Sequence, residues 1–143
     1  MLYLERFRLP SRAQEEQFFT GIQRTCHTTF YPFQVFYQRE PEPFAFAPIT
    51  IFYGGNGSGK STVLNVIAEA VGAARSAPYN RSEFYEEYVK RCSFMVKGGQ
   101  VPEGSRIITS DDVFDYLLEI RALNQGIDLR RGQLFEEYRD AKY

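Results

Sequence analysis

The run Gly54-Gly55-Asn56-Gly57-Ser58-Gly59-Lys60-Ser61-Thr62 constrains this chain more than any other stretch. It fits G-x-x-x-x-G-K-[ST], with Gly54, Gly59, Lys60 and Ser61 in the four fixed places. A loop that wraps a polyphosphate must bring backbone amides close to several negative charges. Glycines at 54, 55, 57 and 59 remove the side chains that would block that approach. Successive N–H groups then form an anion nest, and a helix starting near Gly59 adds its unpaired amides and the positive end of its dipole. On this reading the nine residues Gly54 to Thr62 form the nucleotide site. Lys60 is the candidate catalytic residue, reaching the β- and γ-phosphates. The Ser61 hydroxyl ligates Mg²⁺, and Thr62 lies by the α-phosphate.

Such a loop belongs between a buried strand and a helix. Ile49-Thr50-Ile51-Phe52-Tyr53 reads as the strand. Val63, Ile67, Ala70, Val71 and Ala74 recur at helical spacing after it, with Asn65 and Glu69 off that face.

Upstream, Leu2, Leu4, Phe7 and Leu9 alternate weakly before Pro10 and predict an opening strand. Ser11 followed by Gln14 is a capping-box pattern that predicts a helix from Arg12 to about Thr25, with Phe18, Phe19 and Ile22 inward. Residues 30–38 read as a second strand, with Pro32 at its start or on an edge. Arg39-Glu40-Pro41-Glu42-Pro43 reads as a turn, and Phe44-Ala45-Phe46 leads towards the loop.

Downstream, Asn80 or Ser82 would cap a helix over Glu83–Arg91, with Phe84, Tyr88 and Tyr85 as its inward side. Ser93–Val96 and Arg106–Thr109 read as short strands. Ser110-Asp111-Asp112 suits a helix N-terminus, and Val113, Leu117, Ile120 and Leu123 carry that helix to about Asn124. Gly126 is expected to break it, with helix resuming over Asp128–Tyr143.

The length of 143 residues suits one domain, and 13 Phe with 10 Tyr can fill a core. A formal net charge of −1 gives no global signature for nucleic acid. Cys26 and Cys92 lack metal-like spacing and read as reduced, packed thiols; the single His27 reads as a surface or satisfied histidine. No apolar run approaches the ~20 residues of a membrane span, and the N-terminus is not a secretory signal, so the expectation is a cytoplasmic chain with no membrane partner.

The segment Gly55-Asn56-Gly57-Ser58-Gly59-Lys60-Ser61-Thr62 resembles the ATP-binding-cassette class of P-loop ATPases. The approach Phe46-Ala47-Pro48-Ile49-Thr50-Ile51-Phe52-Tyr53 resembles its soluble, non-transporter branch, which includes chromosome-maintenance and repair ATPases and small bacterial AAA-family proteins. Arg106–Tyr116 resembles a stretch of that bacterial group. The resemblance implies a partial three-layer α/β P-loop fold, with antiparallel strands leading into the phosphate-loop strand and helices at the C-terminal end. It implies ATP and Mg²⁺ as cofactors and a head-to-tail homodimer of the full-length form. DNA or a nuclease as partner follows by family analogy only.

The class also carries four apolar residues followed by Asp-Glu, a serine-glycine-rich signature and a late histidine. None is present here. Ile107-Ile108-Thr109-Ser110-Asp111-Asp112 is the nearest run to the first, and it is polar where it should be apolar. It reads as a helix cap, with Ser110 or Asp111 as the alternative sensor of Mg²⁺ and γ-phosphate. Residues 1–143 are therefore expected to be a single N-terminal lobe of an ATP-binding domain, truncated inside an apparent helix. Tyr31, Phe33 and Phe36 are candidates to stack on adenine, although core packing is the expected role of each. Two further readings are a non-hydrolytic nucleotide sensor and a small P-loop kinase, whose lid would draw on Arg75, Arg81 or Arg91.

Overall fold

The computed structural model describes residues 1–22 and 29–142. Cys26, His27 and the predicted extension of the first helix to Thr25 lie outside these. The chain falls into two compact units, Met1–Ile107 and Ile108–Tyr143.

In the first unit, strand β1 (Leu4–Arg8) is the centre of a three-stranded antiparallel sheet. It pairs on one side with β2 (Phe44–Ala45) and on the other with β3 (Ser93–Val96). Phe7 lies opposite Phe44 and Phe94 and is fully buried, with its ring stacked on Phe94 at 6.2 Å. Helix α1 (Arg12–Thr20) starts with the predicted capping box between Ser11 and Gln14 and ends at Gly21. It delivers Phe18 and a buried carboxylate, Glu15, to the core.

Residues 30–38 are a chain of turns rather than a strand. Phe33 N donates to Phe30 O, Val35 N to Pro32 O and Arg39 N to Phe36 O, all three residues back. The reason lies in the spacing. Phe30, Phe33 and Phe36 recur every three residues, so a winding backbone turns all three inward where a period-two strand would split them. Gln34 sits at φ 70°, and its amide donates to Glu15 Oε2 at 2.9 Å, which holds the turn against α1. Phe33 stacks on Phe18 at 4.0 Å and meets Tyr88 edge-on at 4.9 Å. Tyr88 and Tyr85 come from α3 (Tyr85–Lys90) and are fully buried. Cys92 is a free thiol just after α3; burial pushes its pKa up to about 12, so the thiol is protonated and inert.

The predicted strand 49–53 does not form: Ile49 lies in a bend, and the segment makes no backbone–backbone hydrogen bond with any described residue. A ladder needs a neighbour, and none lies beside it among the described residues. Phe52 packs at 5.2 Å from Phe44 and 6.3 Å from Phe46, and Thr50 Oγ1 accepts from Ala47 N at 3.0 Å, while Ile49, Ile51 and Tyr53 stand exposed. The predicted strand 106–109 reduces to a parallel bridge between Arg106 and Ala74, with Ile107 N donating to Ala74 O at 2.9 Å.

The second unit is one helix, α4 (Ser110–Ala141, 32 residues), continuous through Gly126. The expected break does not occur. A glycine inside a helix costs only about 1 kcal/mol relative to alanine, and good helix formers flank it on both sides. Thr109 caps α4, one residue earlier than the aspartates suggest. Asp112 completes a capping box by accepting from Thr109 N at 2.7 Å. Among the described residues no helix is long and apolar enough to cross a membrane.

Candidate functional site

The loop 54–59 enters α2 (Lys60–Ala70) through Gly59, which sits at φ 92° as the N-cap. Gly57 is also left-handed, at φ 76°. Helix α2 buries Val63, Val66 and Ala68 and packs Ile67 and Ala70 against the core. The predicted stripe therefore holds at Val63, Ile67 and Ala70, while Val71 and Ala74 fall beyond the end of the helix, and it missed Val66, the most deeply buried residue of α2.

This burial fixes the direction in which the N-terminus of α2 points its amides. That terminus has no side-chain capping bond and no acidic residue in its first turn. The first regular helical bond is from Val63 N to Gly59 O, at 2.9 Å. Unpaired amides at a helix start can be satisfied by an anion.

Lys60 lies back across the loop. Its ammonium donates to Gly54 O at 2.7 Å, Gly55 O at 2.8 Å and Ser58 Oγ at 3.2 Å. The positive charge thus sits above the glycines, held by acceptors of the same kind that a phosphate oxygen would supply. Ser61 is exposed at the mouth of the helix. Thr62 is partly buried, and its Oγ1 accepts from the Tyr31 hydroxyl at 3.1 Å.

The floor of the loop comes from the turns before it. A Cβ at Gly59 would lie 2.6 Å from Phe36 Cε1 and 2.7 Å from Phe36 Cζ. Phe36 and Phe33 are both buried in the core, so neither offers a free face to a base, and Phe36 supports the loop from beneath. Tyr31 reaches α2 with its hydroxyl, and its carbonyl accepts from the Ser82 hydroxyl. The segment 30–38, expected as a strand, is thereby the bed on which the loop rests.

The three arginines considered for a lid each have partners within the first unit. Arg75 donates to Asn65 Oδ1 at 2.5 Å and lies 3.6 Å over the Tyr79 ring. Arg81 pairs with Glu86 at 2.8 Å and Glu69 at 3.4 Å, and Arg91 with Glu87 at 3.0 Å. Tyr79 also donates to Glu69, at 2.7 Å. Sequence reasoning missed this brace behind α2; its only signal was the polar pair Asn65 and Glu69 on one helix.

Asp112 is occupied by the cap of α4 and accepts from Thr109 Oγ1 at 2.8 Å. Among the described residues no three His, Cys, Asp or Glu side chains are grouped to hold a metal. The donor set still fits a nucleotide-borne Mg²⁺, because such an ion brings phosphate oxygens and needs one hydroxyl, that of Ser61. Comparison of the chain with protein-family models, with curated proteins and with solved structures finds no match.

Proposed function

We propose that this chain binds ATP with Mg²⁺ through residues 54–62. The observation that carries this reading is Lys60, drawn over a glycine loop at the uncapped start of α2. The loop would take the β- and γ-phosphates on its amides, with Lys60 exchanging its bonds to Gly54 O and Gly55 O for phosphate oxygens. Ser61 would complete the shell of the ion. The same reading places the chain in a partial P-loop α/β fold of the cassette type, acting inside the cell as a homodimer.

Hydrolysis asks for more than this. A polarising carboxylate must orient the attacking water. Asp112, the nearest candidate in sequence, serves its helix cap. ATP turnover would therefore draw that carboxylate from outside the site described here. A nucleotide sensor that binds without turnover is the second reading, and the commitment of Asp112 favours it. A kinase has less support, because Arg75, Arg81 and Arg91 are already engaged.

The test is calorimetric titration of ATP with Mg²⁺ into the wild type and Lys60→Ala, alongside phosphate release. Loss of ATP binding in the variant is expected, of at least tenfold in affinity. An unchanged affinity would end the nucleotide reading. Phosphate release by the wild type alone would favour the ATPase over the sensor.

A further inference from the structure

Helix α4 has no buried residue, yet it carries apolar side chains along its whole length. Their spacing is regular. Val113, Leu117, Ile120, Asn124, Ile127, Arg131, Leu134, Tyr138 and Ala141 alternate steps of four and three. This is the seam of a coiled coil, with Val113, Ile120, Ile127, Leu134 and Ala141 at d and Leu117, Asn124, Arg131 and Tyr138 at a. At 32 residues the helix is about 48 Å long. A helix of this kind gains most of its stability from a covered apolar face, so the seam calls for a partner of the same length.

Charge selects the partner and its direction. A parallel pair of α4 helices would set Arg131 against Arg131 in the seam, which is unfavourable. An antiparallel pair layers a against d. Leu117 then meets Leu134 of the partner copy, Val113 meets Tyr138, Ile120 meets Arg131 and Asn124 meets Ile127. In the same register Arg121 faces Asp128 of the partner, twice by symmetry, and Phe114 faces Phe135. A slip of one heptad in one direction sets Arg121 against Arg121, and in the other Asp128 against Asp128. Of these registers only the central one is complementary at its flank, and it keeps Arg131 and Asn124 each against an isoleucine rather than against a copy of itself. Among the described residues Arg121 has no ion pair, while Asp128 meets Arg131 at 3.2 Å in an exposed pair that the flank of the dimer can share.

We propose that α4 is the dimerisation element of this protein, pairing antiparallel with α4 of a second copy about a centre between Gln125 and Gly126. The inference does not rest on nucleotide binding and stands or falls separately from it.

The experiment uses the 143-residue chain with Cys26→Ser and Cys92→Ala, so that only introduced thiols react. Leu117→Cys and Leu134→Cys proteins are mixed and oxidised. The expected product is the mixed 117–134 disulfide dimer, with no 117–117 dimer, since in this register the two 117 positions lie about 26 Å apart. A dominant 117–117 disulfide would overturn the antiparallel arrangement. Light scattering on the parent should give twice the chain mass at tens of micromolar, and Leu117→Arg with Leu134→Arg should give a monomer that loses part of its helical circular dichroism but keeps the near-ultraviolet signal of the tyrosines packed in the first unit. A monomeric parent, or a dimer that survives both arginines, would overturn the assignment of the interface to α4. Arg121→Asp should weaken the dimer by roughly 3- to 10-fold, and adding Asp128→Arg should restore it. Failure of the swap to restore it would refute the register.

Discussion

Replacing Gly59 by alanine tests how the loop is seated on the core. Two costs add at this position. The backbone sits at φ 92°, where a residue with a Cβ pays about 1–2 kcal/mol. The new methyl would also lie 2.6 Å from Phe36 Cε1, well inside van der Waals contact. Phe36 is packed in the core and cannot swing away freely, so the overlap must be absorbed by shifting α2 or the ring, at about 1–3 kcal/mol. The sum is roughly 2–5 kcal/mol, a large share of the stability of an ordinary domain. Gly57 supplies the control. It is also left-handed, at φ 76°, but nothing lies within 4 Å of its Cβ position. Gly57→Ala should therefore lose only the backbone part. Urea unfolding of both variants separates the two costs, and Gly59→Ala in a Phe36→Val background should recover part of the steric one. If Gly59→Ala were no more destabilising than Gly57→Ala, Phe36 would not be the floor of the loop, and the argument would fail.

Two more outcomes follow from named residues. Burial holds the Glu15 carboxyl above its ordinary pKa, offset in part by the amide of Gln34. The folded state therefore keeps this proton after the unfolded chain has lost it, so stability falls as pH rises from about the ordinary value of 4.5 to the raised one. Glu15→Gln keeps an acceptor for Gln34, and urea unfolding against pH should show that part of the fall gone; an unchanged profile would refute it. Gly126 and Gly132 lie inside α4 with open space at their Cβ positions. Gly126→Ala and Gly132→Ala should each stabilise the helix by about 0.5–1 kcal/mol, read as helical circular dichroism retained to a higher temperature.

Local signals in the sequence carried well where a short pattern decides the structure. The Ser11–Gln14 box starts α1, the glycine run ends at the start of α2, and an Asp–Thr cap starts α4. The misses came where pattern and partner had to be weighed together. Residues 30–38 are rich in Phe and Tyr, as strands are, and the three-residue spacing of Phe30, Phe33 and Phe36 was the signal that marked turns. Residues 49–53 have strand composition, but a strand exists only beside another, and composition does not say whether a neighbour is there. Nothing in the local pattern marks Glu15 as inward; its buried carboxylate accepts from the Gln34 amide, nineteen residues away. Gly126 was over-weighted, because helix cooperativity across Leu123 and Ile127 outweighs a single glycine.

The bonds from Lys60 back to Gly54 and Gly55 close a ring of chain by a non-covalent clasp. Such a clasp narrows the conformations open to the loop, as a crosslink would. Removing the side chain therefore takes away two things at once, a charge and a fastening. Lys60→Arg separates them: it keeps the cation, but a planar guanidinium cannot copy the compact ammonium that reaches two carbonyls and a hydroxyl together. The entropy of six residues of loop is then written into every affinity measured at this position.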